Sequence, residues 1–237
     1  MINGKRILCV VPARGGSKGI PLKNLRPIFG KPLVARAGAV ANQVPEIDRA
    51  VVSTDHDEIA EVAKKAGLAA PFRRPEDLSG DRIGDWDVLH HALREMERID
   101  SVQYDIVVML QPTSPMRRAE DVSNTIKMLQ NENWDAVWTV SETDSKGHPL
   151  KQLTISQTGE MNYYSPDGEK IIARQQLTPV YHRNGVAYAI TRDCLINQGS
   201  IKGARTGALV IDTPQVSIDT EWDISLVEFV MNKNSLA

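Results

Sequence analysis

The residues best suited to chemistry lie in a short loop after the first apolar segment of the chain. Residues 7–11 have the sequence ILCVV, which predicts a buried strand. The loop that follows contains three glycines and the cations Arg14, Lys18 and Lys23. Glycines let the backbone approach a ligand closely and expose amide N–H donors. Amides and cations at the end of a strand favour a polyphosphate ligand, although a basic surface loop is the simpler alternative.

This loop matches neither of the two common glycine-rich phosphate motifs. The order Ser17-Lys18-Gly19 is wrong for a P-loop, and the spacing of the glycines does not fit the dinucleotide motif Gly-x-Gly-x-x-Gly. The loop instead resembles the signature Ala-Arg-x-x-Ser-Lys-Gly-x-x-x-Lys-Asn of the acylneuraminate cytidylyltransferases, the CMP-sugar-acid synthetases. The matching residues are Ala13, Arg14, Ser17, Lys18, Gly19, Lys23 and Asn24.

Two further segments in the first half of the chain resemble motifs of the same family. Residues 110–117, LQPTSPMR, are similar to Leu-Gln-Pro-Thr-Ser-Pro-Leu-Arg, whose glutamine lies at the sugar-acid end of the family's site; Gln111 matches it. Arg74, Pro75 and Leu78 match a family segment, Arg-Pro-x-x-Leu, whose arginine helps to hold the nucleotide. A solvated surface arginine is the alternative for Arg74.

A polar stretch later in the chain contains three more such motifs, HPLK at 148–151, RQQL at 174–177 and RNGVAY at 183–188. Their resemblance implies that Lys151, Arg174 and Tyr188 bind the sugar acid together with Gln111. Arg and Lys are natural partners for its carboxylate. Each cation can equally be solvated on a surface arm, and Tyr188 can equally be a core residue of its strand.

The segment 216–223, VSIDTEWD, resembles the family element Asp-x-Asp-Thr/Ser-Glu-x-Asp, whose first two aspartates bind Mg²⁺. Strand alternation places Ser217 and Asp219 on one face. Ser217 replaces the first aspartate and is a poorer ligand for a hard cation. Three possibilities remain open: the metal is held by Asp219 with substrate oxygens and water, another carboxylate substitutes, or metal chemistry is impaired. Asp219 can also cap the last helix.

Composition sets broad limits on the class of protein. The chain has 237 residues, 41% of them hydrophobic and 24% charged, which is typical of a globular domain. A net charge of −2 gives no electrostatic support for binding nucleic acid or a membrane surface. Cys9 and Cys194 form no zinc or disulfide pattern. With no signal peptide and no apolar run of membrane-spanning length, we expect a cytoplasmic protein.

Alternating patterns predict an α/β fold with a mostly parallel sheet flanked by helices, and the family resemblance implies that this fold is Rossmann-like. We expect ligands at the carboxyl ends of its strands. The alternation fails between 142 and 182, where we predict an inserted β-rich arm within a single domain spanning 1–237; one long loop is the alternative. After the first strand, strands are predicted at 50–54, 105–110, 136–140, 185–190 and 208–211, and helices at 30–44, 58–66, 85–98, 120–129 and 220–231.

The resemblance implies a nucleotidyltransferase that converts CTP and a 2-keto sugar acid into a CMP-sugar acid and pyrophosphate, for cell-surface polysaccharide biosynthesis. It also implies Mg²⁺ at Asp219 and a homodimer in which the arm completes the partner's pocket. The implied catalytic residues are Arg14, Lys23, Gln111 and Asp219. The implied nucleotide-binding residues are Ala13, Arg14, Gly15, Gly16, Ser17, Lys23, Asn24 and Arg74.

The QPTSP and RQQ motifs favour a nine-carbon acid such as sialic, legionaminic or pseudaminic acid. A cytidylyltransferase for Kdo or a phosphonate is one alternative. A non-catalytic nucleotide-binding homologue is another, and only Ser217 supports it. Asp55-His56-Asp57 suggests a metal-dependent glycosyltransferase, but this segment runs directly into a predicted helix, where Asp57 is an ordinary first-turn acid.

Overall fold

A six-stranded sheet with helices on both faces forms the centre of the protein. We describe it from a computed structural model, which covers residues 4–235. The sheet strands are β1 (Ile7–Pro12), β4 (Arg49–Ser53), β5 (Ile106–Met109), β6 (Ala136–Glu142), β9 (Tyr181–Thr191) and β10 (Thr206–Val210). The other strands are the short pairs β2 (Pro27–Ile28) with β3 (Lys31–Pro32), and β7 (Leu153–Ile155) with β8 (Met161–Tyr163). The helices are α1 (Leu33–Ala41), α2 (Asp57–Lys65), α3 (Asp85–Asp100), α4 (Ala119–Asn131), α5 (Arg192–Ile196) and α6 (Glu221–Ser235).

The strand order is β10-β6-β9-β5-β1-β4, and every pairing is parallel except those of β9. The predicted mostly parallel α/β sheet is therefore confirmed. Because β9 runs antiparallel to β5 and β6, its first residues lie at the edge where its neighbours end. One edge of the sheet therefore presents the loops after β4, β1 and β5 together with the start of β9.

The core explains why the first strand is apolar at every position. Ile7, Cys9 and Val11 pack with α1, α2 and α4 on one face, whereas Leu8 and Val10 pack with α3 and α5 on the other. A strand covered on both faces needs an unbroken apolar run rather than alternation. Both cysteines are buried, Cys9 within β1.

Some element boundaries differ from the predicted ones for local reasons. The first helix begins at Leu33, because Pro27–Ile28 and Lys31–Pro32 pair as a two-stranded ribbon. The last helix begins at Glu221. Between β6 and β9 the regular structure consists of the β7–β8 hairpin and three short 3₁₀ helices, at Pro149–Lys151, Pro166–Lys170 and Arg174–Gln176. We call residues 143–180 the arm. No helix in the described range is both long and apolar enough to cross a membrane.

Candidate active site

A cavity of about 620 Å³ opens at the edge of the sheet where β1 and β5 end. Its walls come from the loop after β1, the loop after β5, the segment 74–88 and the residues before α6. Ligands of α/β sheets bind at this position. Seven of the predicted site residues line the cavity: Arg14, Ser17, Lys23, Asn24, Arg74, Gln111 and Asp219.

The loop after β1 is held in shape by its own polar side chains. The Ser17 hydroxyl accepts a hydrogen bond from the Lys23 amide at 2.9 Å and donates to the Ile20 carbonyl at 2.6 Å. The Asn24 side chain, which is buried, donates to the Arg14 carbonyl at 2.9 Å. Both side chains therefore shape the loop, and their contact with a nucleotide remains a prediction.

The loop after β4 packs against the loop after β1. The Gly15 amide donates to Asp55 at 2.9 Å, and a Cβ on Gly15 would lie 2.9 Å from the His56 ring. Asp57 forms an ion pair with Arg73. Asp55 therefore holds the loop after β1, and Asp57 belongs to a surface ion pair. Ala13, Gly15 and Gly16 contribute backbone to this loop but do not line the cavity.

The cations of the loop are paired with acids of the chain itself. Asp81 lies 2.9 Å from Arg14 Nη1 and 2.5 Å from Lys18 Nζ, and its pKa is lowered mainly by the hydrogen bond from Lys18. Lys23 Nζ lies 2.9 Å from Asp219 and donates to the Ile218 carbonyl at 2.8 Å. Asp81 was not among the predicted residues, because no sequence spacing connects it with the loop after β1.

Arg74 brings a buried cation to the cavity wall. It is 4% exposed, and its guanidinium donates to the Ser53 carbonyl. Its Nε has no hydrogen-bond partner in the described part of the chain. Burial lowers the pKa of Arg74 to about 10, so the side chain is still charged at neutral pH. A buried donor without a partner at a cavity wall is suited to a ligand acceptor.

Gln111 is fixed by a buried polar network at the start of β9. Arg117 donates to the carbonyls of Gln111 at 2.6 Å, Gly185 at 2.8 Å and Val186 at 2.6 Å. Gly185 has a φ of +72°, and a Cβ there would lie 2.5 Å from Gln111 Oε1 and 2.4 Å from Ser114 Oγ. Burial lowers the pKa of Arg117 to about 10. The network thus fixes the backbone at Gln111, and Gly185 leaves no space for a Cβ beside the Gln111 side chain.

Three predicted sugar-acid residues lie outside the cavity. Tyr188 is 1% exposed, packs against Trp138 and accepts a hydrogen bond from the Gly185 amide at 3.0 Å. It is therefore a core residue behind Gln111, and direct contact with a sugar acid remains a prediction. Lys151 is exposed on the arm, and Arg174 lines a separate pocket of about 170 Å³ at the base of the arm. Neither side chain lines the cavity of its own chain.

The predicted metal position offers one carboxylate with free capacity. Ser217 and Asp219 both line the cavity and are exposed. Asp223 is already engaged, because it accepts from the Asp219 amide at 2.9 Å, the Thr220 amide at 2.7 Å and the Thr220 hydroxyl at 2.9 Å. No group of three His, Cys, Asp or Glu residues suited to a metal occurs within 4–235. Mg²⁺ commonly takes one or two carboxylates together with substrate phosphates, so Asp219 fits such a site.

Two solved structures share this fold. A CMP-2-keto-3-deoxy-manno-octonic acid synthetase complexed with CTP aligns at a TM-score of 0.70 and 21% identity, over 97% of this chain and 100% of the other. A 4-diphosphocytidyl-2C-methyl-D-erythritol synthase from Anaerococcus prevotii aligns at 0.63 and 16% identity, over 98% of both chains. At these identities the likeness establishes the fold alone.

Sequence comparison assigns the family. A sequence profile described as cytidylyltransferase matches residues 8–233. A CMP-N,N'-diacetyllegionaminic acid synthase of Legionella pneumophila is 34% identical over 98% of this chain and 99% of its own length. A pseudaminic acid cytidylyltransferase of Campylobacter jejuni is 29% identical over 96% and 97%. The chain belongs to the cytidylyltransferase family, as the loop and LQPTSPMR motifs predicted.

Proposed function

We propose that this enzyme activates a nonulosonic, sialic-type sugar acid by converting it and CTP into the CMP-sugar acid and pyrophosphate. One observation carries the proposal: a single cavity joins the cationic loop after β1 to Gln111 of the LQPTSPMR motif. The near full-length similarity to a CMP-diacetyllegionaminic acid synthase and a pseudaminic acid cytidylyltransferase supports a nine-carbon acid.

In this reaction the anomeric hydroxyl oxygen of the acid forms a bond to the α-phosphorus of CTP. The bond from the α-phosphorus to the bridging oxygen breaks, pyrophosphate leaves with the electron pair, and the hydroxyl proton passes to solvent. Transfer of this kind depends on positioning and charge neutralisation. Arg14, Lys18 and Lys23 supply positive charge for the triphosphate, and Arg74 supplies a donor for the nucleotide. Gln111 orients the acid.

The proposed cofactor is Mg²⁺, held by Asp219 together with phosphate oxygens and water. Bound there, it would supply Lewis-acid stabilisation of the phosphate charge. Lys23 is the present partner of Asp219, at 2.9 Å. We propose that Lys23 turns from Asp219 to the triphosphate when the nucleotide binds, which leaves the carboxylate available for the cation.

We also propose that two copies of the chain associate through the arm, and that Lys151 and Arg174 contact the sugar acid in the partner's cavity. The arm exposes several large apolar side chains, including Ile155 at 74% and Ile172 at 93% exposure. A cluster of such side chains on one segment is typical of an association surface. Because the reaction consumes CTP, we propose that the enzyme is cytoplasmic.

The test is pyrophosphate release from CTP and Mg²⁺ with a panel of N-acetylneuraminic, legionaminic and pseudaminic acids and Kdo. We expect release with a nine-carbon acid, and with CTP in strong preference to UTP. Asp219→Asn is expected to abolish release, whereas Asp212→Asn, an exposed acid outside the cavity, is the matched control. Release with Kdo alone would correct the substrate class. Binding of CTP without release from any acid would contradict the proposal and favour a non-catalytic homologue.

A further inference from the structure

The order of strands divides the cavity into two ends. Arg74 donates to the end of β4, and the cationic loop follows β1. Gln111 follows β5, and Gly185, in the first half of β9, lies against it. Since the order along the edge is β4, β1, β5, β9, the nucleotide groups lie on the β4 and β1 side. We therefore expect the sugar acid to bind at the end of the cavity formed by β5 and β9.

Asp85 lines the cavity but has no part in the proposed chemistry so far. It is the first residue of α3, and 30% of its side chain is exposed. Its charged partner is Arg183 of β9, with Nη1 3.8 Å from the carboxylate, beyond hydrogen-bond distance. In the described part of the chain the Asp85 carboxylate makes no hydrogen bond. Burial raises the pKa of Asp85, and Arg183 opposes this shift.

Arg183 is held in a defined orientation over the core. Its guanidinium carbon lies 5.3 Å from the centre of the Trp138 ring, which itself packs on Tyr188. Asp85 also interacts electrostatically with Tyr188. These partners belong to β9 and β6, so Asp85 lies at the Gln111 end of the cavity. A half-buried carboxylate with unused acceptor capacity at this position can accept a hydrogen bond from a ligand in the cavity.

We infer that Asp85 contacts the sugar acid, accepts a hydrogen bond from an O–H or acylamino N–H group of it, and so contributes to choosing among acids. Arg183 is a positioning residue that holds the Asp85 carboxylate. This inference rests on the proposed function. Because Asp85 is an anion, it also repels the carboxylate of the acid and directs that group to another part of the site.

The test compares Asp85→Asn with the unsubstituted enzyme, using the acid that the enzyme turns over. The hydrogen bond to a charged acceptor predicts a rise of about 10- to 100-fold in the KM for the acid, with the KM for CTP changed by less than about twofold. Asp87→Asn is the matched control, because Asp87 is in the same helical turn, accepts from the Gly84 amide at 3.2 Å and does not line the cavity. Arg183→Lys is expected to raise the same KM by less than Arg183→Gln does.

The unfolding temperature of Asp85→Asn distinguishes a lost contact with the acid from a loss of folding stability. The raised pKa of Asp85 means that its stabilising contribution is present only at low pH and is lost as the pH rises through the folded-state pKa. Above the folded-state pKa the charged carboxylate is therefore unfavourable to folding, and Asp85→Asn is expected to unfold there at the same or a higher temperature. N-acetylneuraminic acid and its counterpart with a 5-hydroxyl group identify the donor: a larger effect with the first indicates the N–H, and equal effects indicate a hydroxyl.

An unchanged KM for the acid in Asp85→Asn would overturn the inference, as would an equal rise in the KM values for CTP and the acid. If the unsubstituted enzyme turned over no acid, the proposed function would fail instead. In that case CTP affinity still tests the placement of Asp85, since a weaker affinity for CTP in Asp85→Asn would assign the residue to the nucleotide end and overturn the inference.

Discussion

Individual cations in the cavity are neutralised by acids of the same chain. Asp81 is paired with Arg14 and Lys18, and Asp219 is paired with Lys23. These pairs are partly exposed, and exposed ion pairs contribute only about 0–1 kcal/mol each. A triphosphate with several negative charges can therefore replace the carboxylates at little energetic cost.

Asp81→Asn tests this exchange. Removal of the carboxylate frees two cations, so we expect CTP to bind about two- to fivefold more tightly, as measured by titration calorimetry at low salt. Asp77→Asn, an exposed acid of the preceding turn that does not line the cavity, is the control and should leave the affinity unchanged. Weaker binding by Asp81→Asn would show that Asp81 holds the nucleotide rather than competing with it.

Ser217 is the residue at which this chain departs from the metal motif of its family. Ser217→Asp adds a second carboxylate on the cavity face that carries Asp219, so we expect the half-saturating Mg²⁺ concentration to fall by about fivefold or more. The measurement is pyrophosphate release as a function of Mg²⁺. Ser217→Asn, which adds a neutral oxygen, should have a much smaller effect. An unchanged Mg²⁺ requirement in Ser217→Asp would exclude the serine as the limit on metal binding.

Among the elements, β9 determines how the sugar-acid end is built. The sequence predicts its existence from the apolar run at 185–190, but the strand spans 181–191 and is antiparallel. Strand direction depends on how the arm returns the chain to the sheet, which no local pattern records. The loop after β1 and Gln111 were predictable because their motifs are continuous. Arg117 and Asp85 were not assigned because their partners on β9 are remote in sequence.

Gly185→Ala tests whether β9 positions Gln111. A φ of +72° adds strain of about 1 kcal/mol for alanine, and the close contacts with Gln111 and Ser114 bring the loss of stability to about 2–4 kcal/mol. We also expect a higher KM for the acid at unchanged KM for CTP. Gly199→Ala is the matched control, because Gly199 has a φ of +59° with no atom within 4 Å of an added Cβ.

Denaturant unfolding and steady-state kinetics distinguish the two glycine variants. The control is expected to lose only about 1 kcal/mol and to keep both KM values. Equal stability and equal kinetics in the two variants would contradict a positioning role for the start of β9.

At the scale of the whole molecule, two of the residues predicted to bind the sugar acid, Lys151 and Arg174, lie on the arm and do not line the cavity of their own chain. A second copy of the chain would supply them, and the apolar surface of the arm is suited to that contact. The composition indicated a globular domain, and the homodimer was implied only by the family resemblance. The exposure of arm residues such as Ile155, which only the folded chain reveals, supports the proposed assembly.

Ile155→Asp tests the assembly. A charge in the proposed contact surface should convert the proposed dimer into a monomer, as measured by light scattering after size exclusion, and reduce turnover of the acid by at least about tenfold while CTP binding persists. Thr154→Asp adds the same charge to the opposite face of β7 and should remain dimeric. A monomeric unsubstituted enzyme with full activity would rule out completion of the site by a partner.

In the proposed reaction the anomeric oxygen of the sugar acid attacks the α-phosphorus of CTP. It is tested most directly with an acid labelled with ¹⁸O at the anomeric hydroxyl, with the product examined by mass spectrometry and ³¹P NMR. We predict that the label remains in the bridge between the sugar and the phosphorus of the CMP-sugar acid, and that the pyrophosphate is unlabelled. A greater loss of label from the product than from the unreacted acid kept under the same conditions, or a product without a bond between the sugar oxygen and phosphorus, would contradict this reaction.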